Sequence, residues 1–264
     1  YERGTPHAII HLNQMISRYP KSPFTIAACY YNGLFEQREA YKKPILEAST
    51  HFTAAAHSFS QAQQLYYELL AEGLIPDTSR KELKHFIILA SFNEAKVLLA
   101  YSKRNNSPYF QLHKAKDIFE TLSNLDEGDD SSLRHLILES QYKLAQIYDL
   151  LSIEEQSIQQ LKVLSKGCAQ AELKLYIRTM IALARHATKR SDFDTALKTI
   201  ADLEKEKIAT TYPNLYLKAL IEKSNSLRKM QRFDKAMMTL SQVINNNLAS
   251  SLRIKAMVLR AEIY

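Results

Sequence analysis

The sequence predicts an all-α protein, an array of antiparallel helix pairs, and three observations carry that reading. A stretch recurs: SDFDTALKTIADLEKEKI at residues 191–208 returns forty residues later as QRFDKAMMTLSQVINNNL at 231–248. Both copies place an Ala and then aliphatic residues at helical spacing, Ala196, Leu197, Ile200 and Leu203 against Ala236, Met237, Leu240 and Val243. Breakers are scarce, five Gly and seven Pro in 264 residues, which favours helices joined by short turns. Small residues head apolar faces at regular intervals, Ala145, Ala184, Ser224 and Ala261, with spacings of 39, 40 and 37. A composition that is 46% hydrophobic and 24% charged supports a sizeable core. One amphipathic pair leaves an apolar face open that stacking covers, so the outermost pairs are expected to show exposed apolar surface.

In chain order, residues 4–19 place Ile9, Leu12 and Ile16 on one stripe, with Ala8 in the position Ala196 holds in the later repeat. Pro6 suits a first helical turn, and Pro20 disfavours helical geometry at Tyr19, which ends the helix. Beyond Ser22-Pro23 a second helix runs from Phe24 to Gln37. A long Ala-rich helix from Ile45 to Gly73 presents Ala55, Phe59, Ala62, Tyr66 and Leu69 on one face. After the Ile75-Pro76-Asp77 turn, Leu83 to Lys103 carries Phe86, Leu89, Ala90, Asn93, Val97 and Tyr101. The break at Asn105-Asn106-Ser107-Pro108 precedes a helix from Leu112 to Leu125 with Ala115, Phe119 and Leu122. The acidic segment 126–130 is expected to cap the helix after it. From Ser131 the register is regular. Helices at Leu133 to Leu151, Gln170 to Lys189, Leu215 to Met230 and Leu252 to Tyr264 alternate with Ile153 to Lys166, Phe193 to Lys207 and Phe233 to Asn246. The organisation expected is 1–130 as divergent pairs and 131–264 as more regular pairs of one continuous solenoid. Within the first part, 42–109 reads either as divergent repeats or as an insertion, and both ends read as internal positions of a longer chain.

The stretch from His7 to Gln37, HAIIHLNQMISRYPKSPFTIAACYYNGLFEQ, joins two helices through Tyr19-Pro20-Lys21-Ser22-Pro23. It resembles tetratricopeptide (TPR) repeats, especially those of bacterial outer-membrane assembly lipoproteins and Tol-Pal-associated coordinators. Leu144-Ala145 with Tyr148, and Ala261 with Tyr264, are similar to the Leu-Gly/Ala-x-x-Tyr signature of the first TPR helix. The resemblance implies a right-handed α-solenoid with a concave groove and a non-enzymatic scaffold or adaptor role. The repeat spacing exceeds the usual 34 of that family. The carboxylate clamp of its chaperone-binding members is not reproduced across adjacent repeats, so that specificity is not carried over.

A turn of about 100° per residue identifies the groove stripe once the small residues mark the packed face. The successive sets are Glu139, Tyr142, Gln146 and Asp149; Arg178, Ile181, Arg185 and Thr188; Lys218, Ile221, Asn225 and Arg228; and Lys255, Val258 and Glu262. The middle sets, extended by Lys189 and Lys229, are basic. The candidate partner-binding residues are therefore Arg178, Ile181, Arg185, Lys189, Lys218, Ile221, Asn225 and Arg228. They suit a protein or peptide bearing carboxylates, with Arg as a bidentate donor and Asn225 available to main-chain amides. The bland alternative is an ordinary solvated charged face. Reversing Arg185 and Arg228 together to Glu is expected to weaken binding of an acidic partner without unfolding the chain.

The charge is unevenly spread: residues 1–130 hold 14 Lys/Arg against 15 Asp/Glu, and residues 131–264 hold 21 against 13. The basic second half raises an alternative, binding to nucleic acid or an anionic membrane surface. Interleaved surface aromatics and RNA-recognition signatures are missing, which argues against nucleic acid. No enzymatic role, metal or cofactor is expected. His7 and His11 share a helix face without a third ligand, and no HExxH, nucleophile elbow or phosphate loop occurs. Cys29 and Cys168 are expected as separate thiols packed like small apolar residues. No apolar run approaches the roughly 20 residues of a membrane helix. The compartment stays open between the bacterial periplasm and the cytoplasm.

Overall fold

The computed structural model describes residues 6–105, 109–126, 131–168, 172–206, 208–246 and 250–263. These hold thirteen helices, one more than the periodicity places, and no strand, so the all-α class is the one predicted. The chain divides into two compact units, Tyr1–Ser140 and Gln141–Tyr264.

The first unit contains α1 (Pro6–Arg18), α2 (Pro23–Lys42), α3 (Ile45–Ala71), α4 (Asp77–Asn105), α5 (Tyr109–Ser123) and the start of α6 (Ser131–Leu150). Consecutive helices from α1 to α5 pack together, and α2 also touches α4. Helix α4 starts six residues before the expected Leu83, because its first turns face solvent and carry no apolar signal. Asp77 favours that start by meeting the positive end of the helix dipole. The face expected on α3 is the core: Ala55, Phe59, Ala62, Tyr66 and Leu69 are all buried. Tyr30 packs against Phe59 and Phe86, with ring centroids 5.8 and 5.6 Å apart. Glu94, 2% exposed, is held between helices: Gln63 Nε2 donates to its Oε2 at 2.7 Å and Lys114 Nζ lies 2.7 Å from its Oε1.

Cys29 is a buried free thiol, as is Cys168. Burial pushes the Cys29 thiol from 9.0 up to about 11. The native state then keeps a proton that the unfolded chain releases in this window. Stability from this group is therefore intact below pH 9 and falls as pH rises through about 11. At 1.36 kcal/mol per unit the loss amounts to about 2–3 kcal/mol. Burial also raises Tyr30 and Tyr41, which adds to the alkaline loss. Urea midpoints measured from pH 8 to 11 should fall less steeply in Cys29→Ala than in wild type; parallel slopes would refute the assignment.

The second unit holds the remainder of α6, then α7 (Glu154–Cys168), α8 (Leu173–Lys189), α9 (Phe193–Lys205), α10 (Ile208–Thr211), α11 (Pro213–Lys229), α12 (Phe233–Ile244) and α13 (Ser250–Ala261). With α6, α8, α11 and α13 as the first-type helices of the pairs and α7, α9 and α12 as the second-type, α11 packs on α8, α9, α12 and α13, so a first-type helix meets the second-type helices on either side and the first-type helices before and after it. The turns repeat as faithfully as the helices. Ser152, Ser191 and Gln231 take positive φ of 60°, 62° and 59° just past α6, α8 and α11. In each case the next residue's N–H returns to the carbonyl five residues back: Ile153 to Tyr148 at 2.8 Å, Asp192 to Ala187 and Arg232 to Leu227 at 2.9 Å. This is the Schellman closure of a helix end. Gly73 does the same after α3 with φ 70°. Asp192 then caps α9, its carboxylate accepting from the Thr195 N–H at 3.2 Å.

The second-type helices share one packing pattern, a small residue followed by two aliphatics: Ser157, Leu161 and Leu164; Ala196, Ile200 and Leu203; Ala236, Leu240 and Val243, all buried. In the first-type helices Ala145, Ala184 and Ser224 are buried as expected, but Ala261 is exposed. It lies in the last turn of α13, which packs on α11 and α12. A second small series, five residues earlier in each helix, is the one that holds throughout. Ser140, Thr179, Ala219 and Ala256 are all fully buried. Apolar residues are exposed on α1 at Ile10 and on α13 at Ile254, Met257 and Val258, but also on inner helices at Leu46 of α3, Phe110 of α5 and Met238 of α12, so exposure is not confined to the outer pairs. The short α10 has no counterpart in the sequence-based reading; its Ile208 joins the buried cluster of Ile177, Ile200 and Leu203. Residues 127–130 of the acidic segment, Asn106 to Pro108, Gln170 and Tyr264 lie outside the described residues.

Candidate functional site

Helices α6, α8, α11 and α13 bring one residue set after another to a single hollow of about 320 Å³ in the second unit. Tyr142 and Gln146 come from α6, Arg178, Ile181, Ala182 and Arg185 from α8, Leu215, Lys218, Ile221 and Glu222 from α11, and Leu252 and Lys255 from α13. Five of the eight candidate residues, Arg178, Ile181, Arg185, Lys218 and Ile221, therefore meet there. Lys189, Asn225 and Arg228 do not line it. Ile181 and Ile221 are 4% and 1% exposed, so they form an apolar floor anchored in the core rather than open contact points. Thr188, expected on the stripe, faces the interior instead and shares a 2.7 Å hydroxyl contact with Ser226.

The cations of the stripe are not an open basic row. Arg185 donates from Nε and Nη2 to the same oxygen, Oε1 of Glu222, at 3.1 and 2.9 Å. Lys189 Nζ meets Asp149 at 2.7 Å, and Arg228 Nη1 meets Glu262 at 3.1 Å. Each of these pairs ties one repeat to the next. The Arg178 guanidinium stacks 4.2 Å from the centre of the Tyr142 ring, a cation–π contact. Lys218 and Lys255, both exposed, have no ion-pair partner among the described residues. The net outcome is a hollow walled by Arg178, Lys218 and Lys255, with a matched Arg185–Glu222 pair at its side. Glu222 is the residue that sequence reasoning missed. It is only 4% exposed, yet its neighbour in sequence is the stripe residue Ile221 and its partner lies 37 residues away. A single helical turn gives no sign of such a pairing.

A second arrangement in this unit has the outward form of a nucleophile, base and acid. Ser157 Oγ lies 3.2 Å from His186 Nε2, and His186 Nδ1 lies 3.3 Å from Glu154. Ser157 is 1% exposed, and its hydroxyl donates to the Ala145 carbonyl at 2.9 Å. The cluster ties α6, α7 and α8 together and presents no nucleophile to a substrate. Among the described residues no group of three or more His, Cys, Asp or Glu is placed to hold a metal ion. No described helix is long and apolar enough to cross a membrane.

No protein-family model and no curated protein matches the sequence. Among solved structures, the TPR-like repeats of a Podosopora anserina protein described as a putative kinesin light chain are similar. The match has a TM-score of 0.56 at 13% identity and covers 89% of this chain and 97% of that one. At this identity the likeness concerns the fold, and it agrees with the helix order, the repeated turns and the paired packing described above: the protein has the TPR-like helical-repeat fold.

Proposed function

We propose that the protein is a non-catalytic scaffold or adaptor that holds an acidic protein or peptide segment in the hollow of its second unit. The observation that carries this reading is the convergence of Arg178, Lys218 and Lys255 over an apolar floor of Ile181 and Ile221. An extended acidic segment places carboxylates against the two lysines and aliphatic carbon against the floor, as helical-groove recognition requires. A hollow of about 320 Å³ takes one or two side chains rather than a whole helix. The setting we propose is a multiprotein assembly; bacterial envelope assembly is the instance suggested by the His7 to Gln37 resemblance.

The test is fluorescence anisotropy with a labelled hexaglutamate peptide and a hexaglutamine control. Lys218→Glu with Lys255→Glu should weaken hexaglutamate binding by roughly tenfold or more, as expected for losing and reversing two charged contacts. Both side chains are exposed, so the melting temperature should stay close to wild type. Equal affinity in the folded double variant would sink the groove assignment. The competing polyanion reading predicts tight binding of a random oligonucleotide that collapses with added salt. The internal pairing of Arg185, Lys189 and Arg228 weighs against it, since those charges are already matched.

A further inference from the structure

Within the hollow, the one acidic side chain is also among the most deeply buried. Glu222 is 4% exposed, whereas Arg185, which it holds, is about half exposed and lines the cavity. Both Arg185 donors converge on a single carboxylate oxygen, so the guanidinium charge is matched while part of its fork still faces the hollow. The carboxylates of two other inter-repeat pairs, Asp149 with Lys189 and Glu262 with Arg228, do not line the hollow, although Asp149 also acts on Arg185 from a distance. Glu222 is the sole carboxylate among the lining residues, and it alone offsets the positive charge of the hollow from within.

We infer that Glu222 is a specificity-determining residue of this hollow, a built-in counter-acid that matches Arg185 and leaves the reading of a partner's carboxylate to Lys218 and Lys255. The inference rests on the acidic-peptide reading above. A carboxylate entering the hollow meets two exposed ammonium groups first, and further in it meets Arg185 already neutralised by Glu222. The arrangement discriminates against weakly acidic partners, because a single ligand carboxylate has to displace or share the fork with an acid that is held in place by the fold. Removing the Glu222 charge adds a full guanidinium to the site and lowers that threshold.

Hexaglutamate and hexaglutamine binding to the full chain is measured for wild type, Glu222→Gln, Glu262→Gln and the double variant Glu222→Gln with Arg185→Gln. The amide introduced by Glu222→Gln retains an oxygen that accepts from Arg185, and circular dichroism checks that each variant is folded. Glu222→Gln should bind hexaglutamate about tenfold tighter, the scale of a gained charge-assisted hydrogen bond. Glu262→Gln removes the same charge outside the hollow and should shift affinity by less than about twofold, the scale of a screened surface charge. Adding Arg185→Gln should abolish the gain, and hexaglutamine should not respond to any variant. Binding by Glu222→Gln alone, with none by wild type, would also support the assignment. Wild-type binding that Glu222→Gln changes no more than Glu262→Gln overturns the role of Glu222 and leaves the groove reading standing. Absence of binding by both wild type and Glu222→Gln overturns the two together.

Discussion

Arg185→Glu should destabilise the second unit by roughly 2–4 kcal/mol, the range for stripping the partner from a buried charge, reduced here because Arg185 itself is half exposed. The substitution removes both hydrogen bonds to Glu222, which is 4% exposed, and puts a second carboxylate beside it. Glu222 has no other ion-pair partner among the described residues. Arg228→Glu is the comparison. Its partner Glu262 is about half exposed, and such pairs contribute about 0–1 kcal/mol. Urea unfolding followed by circular dichroism would therefore separate the two variants widely, and equal midpoints would refute the buried-pair account. Arg185→Gln combined with Glu222→Gln removes both charges and should lie closer to wild type than Arg185→Glu does. Reversing Arg185 should therefore carry a stability cost that reversing Arg228 does not, and helical spacing gives no sign of it, because the carboxylate beneath Arg185 lies on another helix. Lys218 and Lys255 are the appropriate positions for testing the groove.

Gly33→Ala should lower stability, although Ala is ordinarily the better helix former by roughly 1 kcal/mol. A Cβ at Gly33 would lie 2.7 to 2.9 Å from three atoms of the Phe59 ring. That ring is fully buried and bounded by Tyr30 at 5.8 Å, so it has no solvent into which to retreat. Overpacking of this kind costs about 1–3 kcal/mol, which exceeds the propensity gain over most of its range and leaves a net loss of up to about 2 kcal/mol. The cause can be isolated by a double-mutant cycle. Phe59→Leu is itself destabilising, but it removes the atoms that collide with the new methyl. The pair should therefore be less destabilised than the sum of the single changes by about 1 kcal/mol. A Gly33→Ala protein as stable as wild type, or strict additivity with Phe59→Leu, would show that α2 and α3 adjust freely at this crossing.

Both results bear on how far the molecule can be read from its residues. The faces of α3, α9 and α12 follow from 3.6-residue periodicity, because each needs only the residues of its own helix to be apolar at the right angle. Where that signal is absent the limits drift. The solvent-facing start of α4 is polar, and α2 runs on from Gln37 to Lys42 with Ala40 fully buried. Repetition locates the turns at Ser152, Ser191 and Gln231, but it does not disclose their left-handed backbone. Glycine marks only Gly73, and the other three are held there by hydrogen bonds closing the helix ends. Ala256 and Ala261 are five residues apart on α13, and periodicity alone does not say which is covered. The answer depends on the neighbouring helices present.

The hollow divides in the same way. The angular positions of Tyr142, Gln146, Arg178, Arg185, Lys218 and Lys255 follow residue by residue from helical geometry, and they do converge. Their charge state does not follow. Arg185, Lys189 and Arg228 find their carboxylates 34 to 40 positions away along the chain, on or just past a neighbouring helix of the same type. Helical periodicity is a local property of a dozen residues and survives in the sequence as a pattern. Ion pairing between stacked repeats depends on distances of about 3 Å that exist only after packing, and so the structure alone turns a basic stripe into a few open lysines beside a matched pair.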